Sequence, residues 1–312
     1  MKDLKGKTAF ITGGASGIGL GIAKAFAKEG MNIVIADIRQ KAIDEALPIF
    51  KENGWPAHGI QLDVTDREAY ERAADEAEAK FGKIHVLVNN AGLGVPEGPV
   101  WNVSYKDVDL MVDVNLKGVL NGIMVMVPRI MKHGEGGHIV STASKAGLIP
   151  VPGFTLYNST KRAVIAIMET LASDLAGQNI GSSVFCPGPF QSNLGMSTAE
   201  IRAQMLGEKL PPPAAPPPRE EGQAAPPPVD FSKLVRTAEE AGERVLRGVK
   251  RNDLYIISHV EFKEGYRAQA EAVLRAFPDD QPNEDFKKFF SMLTYNPIYE
   301  KQTQVPAFKK ES

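Results

Sequence analysis

Cysteine is almost absent from this sequence, which contains Cys186 as its only thiol in 312 residues. A single thiol excludes an internal disulfide framework and is typical of a reducing compartment. An excess of charge of one sign is also lacking, because 36 Lys and Arg are balanced by 38 Asp and Glu. Without a basic field to attract phosphates or anionic lipids, the composition favours neither nucleic acid nor a membrane as a partner.

Segments typical of targeting are also missing from the sequence. No apolar run reaches the roughly 18 residues that a membrane span requires. Residues 1–7 lead straight into a strand-like segment, so no signal peptide is predicted, and we expect a cytoplasmic protein. Hydrophobic residues make up 43% of the chain, which is enough for a sizeable core. The length predicts one large α/β domain with an appendage.

Short apolar segments alternate with stretches of helical spacing over most of the chain. Strands that are apolar throughout indicate a parallel sheet that is covered by helices on both faces. The pattern therefore predicts an α/β fold with a Rossmann-like, doubly wound sheet of about seven strands. The predicted strands are residues 8–12, 32–37, 57–63, 84–88, 137–142, 180–186 and 253–257.

Two regions depart from this alternation. Residues 211–228 carry nine prolines in three triplets, which predicts an extended surface loop; a recognition motif for a partner is the alternative. We expect residues 195–232 as a whole to form a proline-rich substrate loop or lid, since this stretch is far longer than a connection requires. Helical spacing in 262–277 and 284–293 predicts a helical extension over 261–312, next to a catalytic domain of residues 1–260.

A glycine-rich turn separates the first strand from the first helix. Glycines here let the backbone approach a pyrophosphate, and the helix N-terminus presents N–H groups to it. A Walker phosphate loop is excluded because no Lys-Ser/Thr pair follows the glycines. We expect five residues of this turn to contact a dinucleotide: Gly13, Ser16, Gly17, Ile18 and Gly19.

The type of dinucleotide depends on the end of the second strand. Asp37 lies where a carboxylate hydrogen-bonds the adenosine ribose and repels a 2′-phosphate, so NAD is favoured over NADP. Arg39 leaves NADP open, because its guanidinium could reach a 2′-phosphate. Further cofactor contacts are expected where the next strands end, at the edge that binds ligands in open α/β sheets. These residues are Asp63, Val64, Asn89, Ala91 and Gly92.

A tyrosine and a lysine four positions apart predict the catalytic chemistry. Tyr157 and Lys161 lie one helical turn apart on one face. Free tyrosine has a pKa near 10, and a nearby ammonium favours the phenolate and lowers that pKa. Ser144 could hold a substrate oxygen with its hydroxyl. Asn115 stands among apolar residues of a helix-like stretch, where a buried amide with satisfied hydrogen bonds is the alternative role.

Together these motifs resemble the short-chain dehydrogenase/reductase family over about residues 4–194 and the seventh strand. The matching motifs are Thr12–Gly19, Asn89–Gly92, Asn115, Ser144, Tyr157, Lys161 and Pro187-Gly188. The resemblance implies that Tyr157 exchanges the proton and that Ser144 steadies the substrate oxygen. It implies that Lys161 binds the nicotinamide ribose and lowers the tyrosine pKa, while Asn115 holds a water of the proton relay. One departure is Ala143, where relatives often carry a second serine.

The resemblance also extends to the nicotinamide end and to the substrate. Pro187 and Gly188 would face the nicotinamide, with Phe190 and Ser192 nearby. The first eighty residues and the segment from Leu254 resemble bacterial dehydrogenases of lignin-dimer Cα alcohols, which implies aryl secondary alcohols or ketones as substrates. The candidate apolar walls of the substrate pocket are Val95, Leu148, Phe154, Leu194, Met196 and Met205.

The family resemblance implies a homodimer or homotetramer that packs through the helix containing residues 161–174. Other functions stay open at this point: an NADP-preferring carbonyl reductase, a non-catalytic dinucleotide-binding regulator, an epimerase or dehydratase, or a scaffold that uses the proline-rich loop. The regulator usually lacks the catalytic tyrosine, lysine or serine, all of which are present here. An epimerase or dehydratase normally has a larger substrate domain than this extension could form.

Overall fold

The computed structural model describes residues 1–94, 98–192, 194–207 and 234–308. In this part of the chain seven strands form one sheet in the order β3-β2-β1-β4-β5-β6-β7, and every neighbouring pair is parallel. The strands are β1 (Thr8–Thr12), β2 (Asn32–Asp37), β3 (Ala57–Gln61), β4 (Val86–Asn89), β5 (Gly137–Thr142), β6 (Ile180–Cys186) and β7 (Tyr255–Ile257). The predicted Rossmann-like, doubly wound sheet is confirmed.

The helices alternate with these strands and continue past the last of them. They are α1 (Gly17–Lys28), α2 (Gln40–Glu52), α3 (Arg67–Phe81), α4 (Tyr105–Val112), α5 (Gly118–His133), α6 (Lys145–Leu148), α7 (Thr155–Asp174), α8 (Leu194–Leu206), α9 (Ala238–Arg251), α10 (Lys263–Arg275), α11 (Glu284–Phe289) and α12 (Ser291–Thr294). Polar caps explain where several of them begin. Asp66 accepts a hydrogen bond from the backbone N–H of Ala69 at the start of α3, and Thr237 does the same for Glu240 at the start of α9.

The strands are apolar throughout because both faces of the sheet are covered. Successive side chains of β1 alternate between the two faces. Phe10 belongs to the core that contains residues of α3, α5 and α7, and Ile11 belongs to the core that contains residues of α1, α2 and α9. The sheet therefore separates two hydrophobic cores. Cys186 is fully buried at the end of β6, and burial raises the pKa of its thiol to about 12.

Helices α1 and α9 pack unusually closely in the second core. A Cβ atom built on Gly242 would lie 2.1 Å from the carbonyl oxygen of Gly21, and one built on Gly21 would lie 1.9 Å from that of Ala238. Contacts this short leave no room for a side chain at either glycine unless the two helices move apart. The close approach fixes α9 against the helix that follows the glycine-rich turn.

The predicted element boundaries needed small corrections. The third strand ends at Gln61 rather than at residue 63, and the fourth runs from Val86 to Asn89 rather than over 84–88. The helical spacing of 284–293 belongs to two short helices, because the backbone of Phe290 leaves the helical conformation between them. Part of the predicted loop 195–232 is helical, since α8 covers residues 194–206. The proline triplets lie outside the described residues.

One helical stretch of the described chain is long and apolar enough to cross a membrane by length and composition alone. It runs from Tyr105 to His133, and 61% of its most apolar window is buried inside the protein. Helices of a hydrophobic core pass the same test, and this stretch supplies core residues such as Met111 and Met126. Its burial favours a structural role in the core.

The C-terminal extension leaves the body of the protein and returns to it. No residue of α10, α11 or α12 is buried. After α12 the chain reaches the body again, where Asn296 donates a hydrogen bond to Ser173 of α7 at 2.9 Å and Ile298 is buried. Gln302 then accepts a hydrogen bond from the backbone N–H of Tyr255 in β7. The extension is thus anchored at both ends.

Candidate active site

The glycine-rich turn lies at the point where the strand order reverses, between β1 and β4. Open α/β sheets bind ligands in the crevice at this point. Gly13 and Gly17 have φ values of +60° and +51°, which favour glycine. The side chain of Ser16, which precedes α1, makes no capping hydrogen bond, so the first turn of α1 presents its N–H groups to the crevice. This arrangement suits a phosphate.

Two residues of the turn are held by the neighbouring strand end. Asn90 donates hydrogen bonds from its side-chain amide to the carbonyl oxygens of Thr12 and Gly13, both at 3.2 Å. A Cβ atom on Gly19 would lie 2.1 Å from the carbonyl oxygen of Gly13 and 2.6 Å from Nδ2 of Asn90. Gly19 is therefore required for close packing, and it does not itself line the cavity described below.

Neighbouring asparagines after the fourth strand have different surroundings. Asn89, a predicted cofactor contact, is buried, and its side chain hydrogen-bonds Ser141 at 3.3 Å and Tyr70 at 3.4 Å. The structure does not bring Asn89 to the cavity; Asn90 lines it together with Ala91 and Gly92. Asn90 belongs to the motif Asn89–Gly92 but was not among the individual contacts predicted from the sequence. Alternation along an extended segment puts neighbouring residues on opposite sides.

Asp37 and Arg39 are brought together at the adenosine end predicted from the sequence. Oδ1 of Asp37 accepts hydrogen bonds from the backbone N–H of Arg39 at 3.1 Å and from its Nε at 3.3 Å. Asp37 is buried, and both residues line the cavity, as do Asp63 and Val64. The side chain of Asp63 also accepts hydrogen bonds from the backbone and hydroxyl of Thr65, which fixes the carboxylate.

The structure brings Tyr157, Lys161 and Ser144 together; Tyr157 and Lys161 line the other part of the same cleft, whereas Ser144 does not line it. Lys161 Nζ donates a hydrogen bond to the carbonyl oxygen of Thr142 at 2.9 Å and lies 5.7 Å from the centre of the Tyr157 ring. Ser144 accepts a hydrogen bond from the backbone N–H of Ala146 at 3.1 Å, and its hydroxyl also hydrogen-bonds Tyr157. Each reactive group is thus held by a partner from a different segment.

Burial dominates the acid–base properties of this pair. It raises the pKa of Tyr157 above its usual value, while the hydrogen bond from Ser144 acts in the opposite direction. Burial also lowers the pKa of Lys161 to about 8, since desolvation disfavours the ammonium. Burial outweighs the hydrogen bond from Ser144, so the net pKa of Tyr157 is raised in the protein alone, and not lowered as expected from the sequence. A positive charge placed in the cavity would favour the phenolate.

Asn115 lies in a π-helical turn, Asp113–Lys117, between α4 and α5. Its side chain accepts a hydrogen bond from the backbone N–H of Leu93 at 2.7 Å and donates one to the Leu93 carbonyl at 2.9 Å. A Cβ atom on Gly92 would lie 3.2 Å from Oδ1 of Asn115 and 3.3 Å from Nζ of Lys161. The amide therefore fixes the backbone beside the lysine, which is the structural role left open by the sequence.

Behind the predicted nicotinamide side lie two residues, Ser258 and His259, that were not predicted from the sequence. Pro187 and Ser192 line the cavity, whereas Gly188 does not. The backbone N–H of Gly188 donates to the hydroxyl of Ser258 at 3.0 Å, and this hydroxyl lies 2.6 Å from Nδ1 of His259. Ser258 and His259 follow β7, and no motif in the sequence marks them. Phe190 packs against the rings of Phe185 and His259, away from the cavity.

Helix α8 covers the cavity and explains part of the predicted apolar wall. Leu194 and Met205 line the cavity together with Ile201, which was not singled out from the sequence. Leu148 is buried in the core and Phe154 is 40% exposed; neither lines the cavity. Val95 and the side chain of Met196 lie outside the described residues.

Three polar contacts hold α8 in place. The backbone N–H of Gly94 donates to the hydroxyl of Thr198 at 3.1 Å. Arg202 donates from Nε to Asp107 of α4 at 2.8 Å, and both side chains are largely buried. Arg39 donates from Nη1 to the hydroxyl of Ser197 at 2.9 Å. The hydrogen bond from Arg202 lowers the pKa of Asp107, so this ion pair persists at neutral pH.

These groups surround one cavity that extends from the glycine-rich turn to Tyr157. The lining contains a carboxylate for ribose hydroxyls, N–H groups for phosphates and a hydroxyl with a buried ammonium for proton transfer. The lining residues predicted from the sequence are Gly13, Ser16, Gly17, Ile18, Asp37, Arg39, Asp63, Val64, Ala91, Gly92, Tyr157, Lys161, Pro187, Ser192, Leu194 and Met205. This donor set fits a dinucleotide that carries an adenosine, a diphosphate and a nicotinamide.

Known proteins that are similar to this chain include dehydrogenases, as the lining of the cavity indicates. Residues 7–203 match the model of the short chain dehydrogenase family. The chain is 38% identical over 274 residues to a C alpha-dehydrogenase of Sphingobium sp. strain SYK-6, which covers 88% of this chain and 87% of the relative. Among solved structures it is similar to the apo form of LigD from the same strain, with a TM-score of 0.73, 34% identity, and coverage of 89% of this chain and 100% of that one.

A short-chain dehydrogenase/reductase from Burkholderia phymatum, solved in complex with NAD, is also similar. Its TM-score is 0.76 and its identity 29%, with coverage of 91% of this chain and 100% of that one. The family model matches most of the sheet, and the cavity lies where the strand order reverses. Both findings support the same assignment of the chain to a family. The chain is an NAD(P)-dependent oxidoreductase that belongs to the short-chain dehydrogenase family.

Proposed function

We propose that this protein transfers a hydride between NAD and a bulky, uncharged secondary alcohol or ketone, with Tyr157 as the catalytic acid and base. The observation that carries the proposal is that Tyr157 and Lys161 line the same cavity as Asp37 and the glycine-rich turn. A dinucleotide held at the turn would therefore reach the tyrosine. In the oxidation direction the alcohol loses a hydride to the cofactor and a proton to the protein.

The cofactor would be held by the chain's own groups in a defined order. The N–H groups at the start of α1 would bind the diphosphate, and Asp37 would accept hydrogen bonds from the adenosine ribose. Lys161 would bind the nicotinamide ribose. When bound, the nicotinamide supplies the acceptor for a hydride, and its oxidised ring carries a positive charge. The NAD complex of the Burkholderia phymatum relative supports the choice of NAD.

Tyr157 would take the proton of the alcohol hydroxyl. Its raised pKa means that the protein alone keeps the phenol protonated at neutral pH. Two positive charges, the Lys161 ammonium and the oxidised nicotinamide, would counter this effect of burial. Ser144 would hold the substrate oxygen, because its hydroxyl already hydrogen-bonds the tyrosine. Asn115 would hold the Leu93 backbone and, through it, the position of Gly92 beside Lys161.

The substrate class follows from apolar residues in the cavity lining. Leu93, Leu194, Ile201 and Met205 give the cavity an apolar surface. Among the described residues that line it, the cations are Arg39, which is bound to Asp37, and Lys161, which is assigned to the cofactor. These residues offer no further cation to a carboxylate or phosphate substrate. The similarity to a C alpha-dehydrogenase supports aryl secondary alcohols.

The first experiment replaces Tyr157 with Phe, which keeps the ring and removes the proton carrier. We expect turnover of a secondary alcohol to fall by about 10³- to 10⁴-fold while NADH binding, measured by fluorescence titration, stays unchanged. Tyr105→Phe is the matched control, since Tyr105 is 89% exposed on α4 and should retain full activity. Near-normal turnover of the Tyr157→Phe protein would end the assignment.

The second experiment compares catalytic efficiency on a series of 1-arylethanols with that on lactate and glucose. The apolar wall predicts higher kcat/KM for the aryl alcohols. A higher value for lactate or glucose would contradict the substrate class and leave the proton chemistry intact.

We also propose that the protein forms a homo-oligomer. Trp101, Tyr105 and Met124 are 81%, 89% and 70% exposed on the segment that includes α4 and α5, and association with a second copy would cover such apolar side chains. Light scattering coupled to size-exclusion chromatography would give the mass. A monomer at micromolar concentration would refute this proposal.

A further inference from the structure

Arg39 is enclosed by groups from three different segments of the chain. Its guanidinium donates from Nη2 to the hydroxyl of Ser16 in the glycine-rich turn and from Nη1 to the hydroxyl of Ser197 in α8, both at 2.9 Å. Its Nε donates to Asp37 at the end of β2. The carboxylate of Glu200, one turn after Ser197 in α8, lies 3.6 Å from Nη1.

These contacts occupy the N–H groups with which a guanidinium would bind a phosphate. An arginine binds a phosphate through its paired N–H groups, and here both terminal nitrogens already have hydroxyl partners. Two carboxylates, Asp37 and Glu200, also neutralise its charge. A 2′-phosphate that arrived at the ribose would have to displace these partners and would be repelled by both acids.

Glu200 differs from Asp37 in one respect that matters for specificity. Asp37 is buried at the end of a strand, while Glu200 is carried by the helix that covers the cavity and is largely exposed. Its effect on a phosphate therefore acts through solvent and is reduced by salt. It also depends on α8 lying over the cavity, where Ser197 and Met205 are found.

We infer that Glu200 of α8 is a cofactor-specificity residue, which keeps Arg39 bound across the adenosine end of the cavity and so excludes the 2′-phosphate of NADP. Arg39 thereby holds the covering helix against the glycine-rich turn instead of receiving a phosphate. This inference rests on the NAD preference proposed above and adds to it a second acid, which is carried by the helix that covers the cavity.

The test is the Glu200→Gln variant, which removes the charge and keeps the size of the side chain. Affinities for NADH and NADPH are measured by fluorescence titration of the whole protein, independently of activity. We expect the ratio of the two affinities to shift towards NADPH by about three- to fivefold at low salt, with NADH affinity nearly unchanged. In about 0.5 M salt the shift should largely disappear.

Two further variants make the result specific. Gln204→Ala alters an exposed residue of the same helix and should leave the affinity ratio unchanged. Asp37→Ser should weaken NADH and strengthen NADPH, because it removes the acid at the ribose. An unchanged ratio in Glu200→Gln together with a shift in Asp37→Ser would overturn the role of Glu200 alone. Equal affinities of the unmodified protein for both cofactors would overturn the NAD preference itself.

Discussion

The sheet and the C-terminal extension differ in what each buries. Every residue of β1 is buried between two cores, whereas none of the residues of α10–α12 is. Phe289 and Met292 of the extension are 82% and 92% exposed. Burial of apolar surface is the main stabilising contribution to a fold. The free energy of unfolding of the single chain should therefore depend on the sheet and hardly at all on the extension.

The largest effect of adding a methyl group is expected where α1 and α9 meet. Replacing Gly242 with Ala puts a methyl group 2.1 Å from the carbonyl oxygen of Gly21, so the helices must separate. Overpacking of this kind lowers the free energy of unfolding by about 1–3 kcal/mol, which urea denaturation would measure. Gly98→Ala is the control, because a Cβ there has no neighbour within 4 Å among the described residues. Equal stability of the two variants would contradict the close packing.

A pH-dependent effect of similar size is expected at His138 in β5. The side chain is fully buried against Ser183, and burial lowers its pKa from 6.5 to about 3. Below pH 6.5 the unfolded state therefore binds a proton that the folded state does not, and stability falls as the pH decreases. Between pH 7.5 and pH 5 this histidine should account for a loss of about 2 kcal/mol.

The measurement compares urea denaturation at pH 7.5 and pH 5 for the unmodified protein and for His138→Gln. The variant should lose less stability on acidification, whatever its stability at pH 7.5. His58→Gln, at a more exposed position on β3, serves as the control for removing a histidine. An identical pH dependence of all three proteins would show that His138 is protonated in the fold.

The smallest effect is expected in the extension. Phe289→Ser removes a ring that is 82% exposed, so the free energy of unfolding of the dilute protein should change by less than about 0.5 kcal/mol. Phe50→Ser is the matched substitution in the sheet region, where the ring is fully buried, and it should cost at least about 3 kcal/mol. Comparable losses from the two changes would show that the extension is covered in solution.

The features that could be predicted from the sequence are those that depend on residues close together in the chain. The strands and the glycine-rich turn depend on patterns of neighbouring residues, such as the unbroken apolar run of β2 and the glycines before α1. Tyr157 and Lys161 share a helix face, so their spacing predicted their proximity. The identity of the family followed from several such motifs taken together.

Features that depend on tertiary contacts were not predictable in this way. The partners of Arg39 come from segments far apart in the chain, and Ser197 is 158 positions away from it. The pKa of Tyr157 depends on how deeply the ring is buried, which the sequence does not show. Asn90 lines the cavity and Asn89 does not, because the two side chains point in different directions at the end of β4. Ser258 and His259 approach Gly188 only because β7 lies beside β6.

The double anchoring of the extension has a practical consequence for handling the protein. Asn296 and Gln302 fix the returning chain to α7 and β7, so the exposed segment that contains α10, α11 and α12 is joined to the body of the protein at both ends. Extra residues inserted around Asp280 would lengthen a loop whose closure entropy grows only slowly with its length. The residues around Asp280 are exposed and are consequently a suitable place to attach an affinity tag or a fluorescent reporter.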